Sequence, residues 1–262
     1  DIIDHAKAFA ALHGDRYVAV PEQERRDALV AYALPKNSAA LERDLGRYRI
    51  RYDVWFRESE LHREGKVAAV CQKLKDSGWA YEKDGALWYN NIKMMTQKAE
   101  QAGRPLTEAE TAELKDDVLV RANGVPTYFA ADIAYHYNKF AERGFQRVIN
   151  VWGADHHGHV ARLKGAMDAV GLDGDKLDIV LMQLVRLMKD GQPYRMNKRS
   201  GRAVTLTDLL DDVPIDAARF FFNMLEPNAT FDFDLDLAVQ QSSENPVYYV
   251  QYAHARICSV LK

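Results

Sequence analysis

The chain has 262 residues, 47 % of them apolar and 28 % charged, with a formal net charge of −3. Such a composition suits a globular protein of one large or two small domains; it excludes a generally basic nucleic-acid binder but leaves room for a local basic face. Cys71 and Cys258 form no CxxC pair, so neither a disulfide framework nor a thiolate zinc site is expected, and a reducing, cytoplasmic setting is.

No apolar run approaches the ~20 residues of a membrane span, and no signal peptide opens the chain. It starts without Met inside a helical pattern, as a fragment or processed chain would. That pattern covers 1–13, with Gly14 as its stop. A second helical stretch covers roughly 22–46, with breaks expected at Pro35 and Asn37. Tyr48 to Phe56, YRIRYDVWF, alternates and reads as a strand. Ser59 is a plausible cap for a helix through Leu74 and Lys75, ended by Gly78. Trp79–Tyr81 and Ala86–Tyr89, joined at Asp84-Gly85, carry a hairpin signature. Residues 93–117 read as a polar surface loop or helical excursion.

Val118–Arg121 and the turn Asn123-Gly124 lead to a helix from Tyr128 to Arg143. One face of it holds Phe129, Ile133, Tyr137 and Phe140, another Tyr128, Asp132 and Tyr135. The next stretch, RVINVWGADHHGHV at 147–160, organises the chain. Val148, Ile149, Val151 and Trp152 make a short apolar run ended by Gly153. Asp155 can cap the next helix, which runs from about His156 to Val170. This reads as a buried parallel strand, a tight turn and a helix, and ligands of open α/β sheets sit beyond the carboxyl ends of such strands. The centre of the active site is therefore expected here: Gly153 admits a ligand to the backbone, Asp155 offers acceptors, and His156, His157 and His159 add donors or acceptors. Asp178–Leu187 reads as a further strand with a hairpin turn at Asp190-Gly191. A basic loop (Tyr194 to Gly201), short helices near 207–212 and 215–225, the alternating FDFDLDL and a last helix over 246–262 complete the chain.

A loop bearing Lys198 between Arg195 and Arg199 suits a triphosphate whose charge must be held as a leaving group departs, although composition alone fits a solvated turn. DHH with His159 could bind metal in a DHH-type phosphoesterase, but no upstream DxD accompanies it. Asp232, Asp234 and Asp236 lack the glycine and distal Glu of a calcium loop, so a solvated strand face is expected. His254 and Cys258 read as partly buried interface residues of the final helix.

RMNKR at 195–199 resembles a degenerate KMSKS signature of class I aminoacyl-tRNA synthetases. VWGADHHGHV, PTYFAADIAYH and NPVYYVQYAHARICSVL resemble arginyl-tRNA synthetases in particular, and GKVAAVCQKLKDSGWAYEKDGALWY resembles their connective insertion. The resemblance implies an α/β, Rossmann-like nucleotide-binding core, and activation of L-arginine with ATP and Mg²⁺ followed by transfer to tRNA(Arg), with bound tRNA required for activation. Lys198 matches the signature's second lysine, on the ATP pyrophosphate. Arg195 keeps the charge of its first, while Asn197 replaces a serine hydroxyl; Met196 lies with them against ATP. Gly153 and Asp155, with His156 and His157, match the segment lining the adenosine ribose. Tyr128 and Asp132 match the residues that hold the arginine side chain, and a carboxylate suits a planar guanidinium fork. The resemblance divides the chain into core (1–57), connective insertion (58–126), second half of the core (127–190), signature loop and junction (191–245) and the start of the anticodon-binding bundle (246–262). No HIGH-type motif is present, so the fragment alone is expected to be inactive; the rival reading is a truncated paralogue that binds tRNA or a protein partner without catalysis.

Overall fold

A computed structural model describes residues 2–194 and 204–262. In chain order its elements are α1 (Ile2–His13), α2 (Glu22–Arg47), α3 (Glu58–Arg63), α4 (Lys66–Asp76), β1 (Ala80–Lys83), β2 (Ala86–Tyr89), α5 (Asn91–Gln101), α6 (Glu108–Glu113), β3 (Asp117–Val120) and α7 (Tyr128–Tyr137). They continue with β4 (Val148–Gly153), α8 (His157–Ala169), β5 (Leu177–Met182), β6 (Val185–Lys189), β7 (Gln192–Pro193), α9 (Leu206–Asp212), α10 (Ile215–Phe222), β8 (Phe231–Asp234), α11 (Leu235–Val239) and α12 (Pro246–Val260). No described helix is long and apolar enough to cross a membrane. The chain divides into two compact units. One comprises Trp55–Leu184 and Glu226–Phe231; the other comprises Asp1–Val54, Val185–Leu225 and Asp232–Lys262.

The first of these units carries a three-stranded antiparallel sheet, β1-β2-β3, and the parallel pair β4-β5. Asp84 and Gly85 both take positive φ, as the β1–β2 hairpin turn requires. β4 and β5 run in unbroken register from Val148↔Leu177 to Gly153↔Met182, with α8 as the crossover. Leu74 of α4, Tyr89 of β2, Leu119 of β3, Ile133 of α7, Leu163 of α8 and Leu177 of β5 are fully buried and meet in one core. Burying each of the leucine and isoleucine side chains contributes about 1.5–3 kcal/mol. The polar segment expected over 93–117 is the helical excursion rather than a bare loop. α5 and α6 form there, capped by Asn90 and Thr107, and α5 sinks Met94 into the core. α7 passes into a π-helical turn over Asn138–Glu142.

In the other unit Phe9 of α1 is buried against the rings of His13, Tyr17 and Tyr32. β6 lies between β7 and β8. The three alternating aspartates are each spoken for. Asp232 takes a bidentate pair from Arg186 at 2.6 and 3.0 Å, Asp234 caps α11, and Asp236 accepts the Asp190 amide at 2.6 Å. α10 packs Phe221 and Phe222 against Phe233.

Several sequence expectations are corrected. α2 runs unbroken through Pro35 and Asn37, because strong helix formers flank the one missing amide. Tyr48–Phe56 is not a strand; its first residues wrap the end of α2, with Tyr48, Arg49 and Ile50 amides bonded back to Asp44, Gly46 and Leu45 carbonyls. Ser59 caps nothing. It lies inside α3, and Gly65, at φ 70°, separates α3 from α4. Asp178–Leu187 is two strands, β5 and β6, interrupted where the Gln183 amide turns to the Pro227 carbonyl. β4 is not buried on both faces: Val148 and Asn150 point inward, while Ile149 and Val151 are 62 % and 63 % exposed. His254 and Cys258 are exposed rather than partly buried.

Candidate active site

The site is built where β4 ends and the amino-terminal half of α7 faces the first turns of α8. Thr127 fixes the start of α7. Its hydroxyl donates to the Val118 carbonyl at 2.7 Å and its amide to the Leu119 carbonyl at 2.8 Å, tying the helix to β3. Tyr128 follows, 82 % exposed, and Asp132 stands one turn further on with its side chain 41 % exposed. From α8, His159 Nε2 lies 3.1 Å from Asp132 Oδ2, with its own side chain only 12 % exposed. Arg162, one turn beyond, donates from Nε to His159 Nδ1 at 2.7 Å and from Nη1 to Asp117 Oδ1 at 2.6 Å. The rings of Phe129 and Trp152 flank the His159 imidazole at 5.3 and 5.4 Å. Burial raises the Asp117 carboxyl above the usual range, and the Arg162 cation opposes that shift.

A second chain of bonds holds the backbone of Asp132. Its carbonyl meets His136 Nδ1 at 2.7 Å; His136 Nε2 faces Asn150 Nδ2 of β4 at 2.7 Å, and Lys139 Nζ donates to Asn150 Oδ1 at 3.2 Å. A carbonyl only accepts, so His136 carries its proton on Nδ1 and accepts from Asn150 on Nε2. Burial lowers the His136 imidazole, as does the neighbouring Lys139 charge. Lys139 lies 4.1 Å from the centre of the Tyr135 ring, which stacks on Phe56. Tyr135 is half-buried by these contacts, while Tyr128, seven residues earlier on α7, is exposed.

At the strand end, a Cβ at Gly153 would lie 2.5 Å from Asp155 Oδ1, so a side chain there would push the exposed Asp155 carboxylate aside. Asp155 does not cap α8 as expected. It sits in a 3₁₀ turn over Ala154–His156, with His156 Nε2 3.7 Å from its carboxylate. His157 opens α8 and is exposed, and His156 lies near Trp152. The structure thus joins Asp132 to His159 by a hydrogen bond and Gly153 to Asp155 and His156 in one turn. Lys198, Arg195 and Met196 lie outside the described residues. Among the described residues no group of three or more His, Cys, Asp or Glu could hold a metal ion. His159 is committed to Asp132 and Arg162, which argues against the phosphoesterase reading.

Sequence reading missed Asp117, His136, Lys139, Asn150 and Arg162. Two faint signals existed: a lone Asn within the apolar run of β4, and Arg162 three residues after His159, on the same helix face.

A parallel strand–turn–helix with its polar groups at the strand's carboxyl end is the ligand-binding arrangement of open α/β folds. Residues 27–250 match the family described as tRNA synthetases class I (R), catalytic domain, and the chain belongs to that family. It is 57 % identical to an arginine–tRNA ligase of Caldanaerobacter subterraneus subsp. tengcongensis and 52 % identical to one of Ruminiclostridium cellulolyticum. Both matches cover all of this chain and 44 % and 43 % of the relatives. A crystal structure of a Campylobacter jejuni protein assigned to the arginyl-tRNA synthetases superposes with a TM-score of 0.82 at 32 % identity, covering 98 % of this chain and 52 % of the other. The chain therefore spans under half the length of the curated relatives it matches.

Proposed function

We propose that this chain contributes the arginine pocket and part of the ATP site of an arginine–tRNA ligase. Such an enzyme activates L-arginine with ATP to arginyl-adenylate and transfers it to tRNA(Arg). The observation that carries the reading is the Asp132 carboxylate, accessible to solvent yet held from two directions. His159 holds one oxygen and the His136–Asn150 chain holds the backbone carbonyl. A pre-set carboxylate of this kind pairs with a guanidinium without paying for its own ordering. Tyr128, exposed one turn earlier, contacts the bound side chain in this reading. Gly153, Asp155, His156 and His157 at the end of β4 line the adenosine, with Gly153 letting the ribose approach the backbone.

Lys198, with Arg195 and Met196, takes the ATP phosphates, and Mg²⁺ enters with the triphosphate to neutralise its charge. No general base is needed, because positioning and charge stabilisation supply the rate. Residues 58–126 form the connective insertion, 127–190 the second half of the core, 191–245 the signature loop and junction, and 246–262 the start of the anticodon-binding bundle; the setting is cytoplasmic. Competition between L-arginine and L-citrulline tests the reading. Citrulline keeps the shape but replaces the guanidinium with a neutral ureido group, so arginine should bind at least about tenfold more tightly. Equal affinities would remove Asp132 as the specificity determinant.

A further inference from the structure

We propose that Arg162 is a positioning residue that keeps His159 neutral, so that the whole negative charge of Asp132 remains available to a cationic substrate. The substrate half of this rests on the arginine reading above; the proton half does not. Arg162 can only donate, so its 2.7 Å bond from Nε requires a bare lone pair on His159 Nδ1. The neutral imidazole then carries its single proton on Nε2 and donates it to Asp132 Oδ2.

Among the described residues three charges act on the imidazole. Asp132 on α7 favours protonation, the Asp117 carboxylate on β3 adds to its pull, and only the Arg162 cation on α8, bonded directly to Nδ1, opposes them. Protonating Nδ1 would break the 2.7 Å bond and set two cations face to face. Arg162 cannot turn aside, because Asp117 of β3 grips its Nη1 at 2.6 Å and its guanidinium carbon lies 5.4 Å from the centre of the Phe129 ring. Phe129 and Trp152 cover much of the remaining imidazole surface and limit the hydration an imidazolium would need.

The consequence concerns competition. An imidazolium at this position would form a charge-assisted pair with Asp132, roughly twice as strong as a neutral hydrogen bond, and would occupy the charge that a guanidinium needs. Held neutral, His159 orients the carboxylate without consuming it. Arg162 and Asp117 thereby act on substrate selection without touching substrate.

The test is long-range ¹H–¹⁵N spectroscopy of the full 262-residue chain labelled on its imidazole nitrogens, at neutral pH. Wild-type His159 should show a protonated Nε2 and a bare Nδ1. Arg162→Leu should convert it to the imidazolium, with both nitrogens protonated, and weaken L-arginine binding about tenfold. Arg162→Lys, which keeps the cation, should leave the imidazole neutral. Adding His159→Gln to Arg162→Leu supplies an amide donor that cannot take up charge and should restore most of the affinity, a rescue that a merely damaged fold would not show. An imidazolium or an Nδ1-protonated ring in the wild type, or an unchanged His159 in a folded Arg162→Leu protein, would overturn the proposal. Titrating L-arginine into the wild type separates the two halves: a silent His159 would sink the substrate assignment whatever the tautomer.

Discussion

Asp132 concentrates the consequences at the scale of single residues. Asp132→Asn keeps a hydrogen-bond acceptor for His159 but loses the charge, and a charge-assisted bond exceeds a neutral one by about 1–2 kcal/mol. In a full-length ligase carrying these residues the arginine KM should rise at least about tenfold, while the ATP KM holds; unchanged arginine kinetics would refute the assignment. Lys139 gives a prediction in pH. Burial, with Arg143 nearby, depresses its ammonium from 10.5 to about 8. Below pH 8 both folded and unfolded chains hold the proton, and the burial penalty is complete. Between about pH 8 and 10.5 the unfolded chain holds more protons than the folded one, so this residue's contribution to stability rises with pH. In urea unfolding, the wild type should therefore gain on Lys139→Met between about pH 7 and pH 10. A difference that stayed constant would mean that Lys139 titrates normally. His156, His157 and His159 were legible in the sequence, because imidazoles beside a strand end advertise themselves, whereas Asp132, inside a helix, was singled out by the family resemblance. Asp117 was not legible: its partner Arg162 lies 45 positions away, and no local pattern encodes a pair that only the packing of α8 on β3 creates.

Elements were legible where the signal is local. The 80–89 hairpin and the helix over 2–13 stand as read, and the strand–turn–helix from 148 stands in its order though not in its cap or its two-sided burial, since turn glycines and helical periodicity act within a few residues. The strand expected over 48–56 failed because alternation needs a partner, and that segment's first amides are already bonded to the end of α2. Pro35 shows the converse, a local breaker outvoted by its neighbours. Pro35→Ala would restore an amide inside a helix with no buried residue, and should raise stability by up to about 3 kcal/mol in urea unfolding; a loss would mean that the proline has a packing role. Gly174→Ala points the other way. A Cβ at this residue, between α8 and β5, would strike the Lys164 carbonyl oxygen, which is backbone and cannot swing away, and would lie 3.0 Å from Asp168 Oδ1. It should cost about 1–3 kcal/mol, and a neutral outcome would show that the α8–β5 connection has slack.

For the whole molecule the telling surface is the outer face of β4. Ile149 and Val151 stand exposed there, as do Met182 at the end of β5 and Leu184 beyond it. The sequence could not reveal this, because a near-continuous apolar run is the pattern of a strand buried on both faces. Exposed apolar groups on a short parallel pair invite association. Light scattering on the chain should show concentration-dependent self-association, which Ile149→Thr with Val151→Thr should reduce; a clean monomer at high concentration would contradict it.

The division into two units also sets an order in time. Trp55–Leu184 is inserted into the sequence of the other unit, whose ion pairs Arg47–Asp211 and Arg49–Asp216 join residues 164 and 167 positions apart. A ribosome adding about 5–20 residues per second delivers those partners roughly ten to thirty seconds apart. The inserted unit has by then received all but its short return segment, Glu226–Phe231, and can collapse on its own core. Meanwhile α2 has only α1 to pack on, through Tyr32 against Phe9, and its lack of any buried side chain makes it a helix suited to waiting in water.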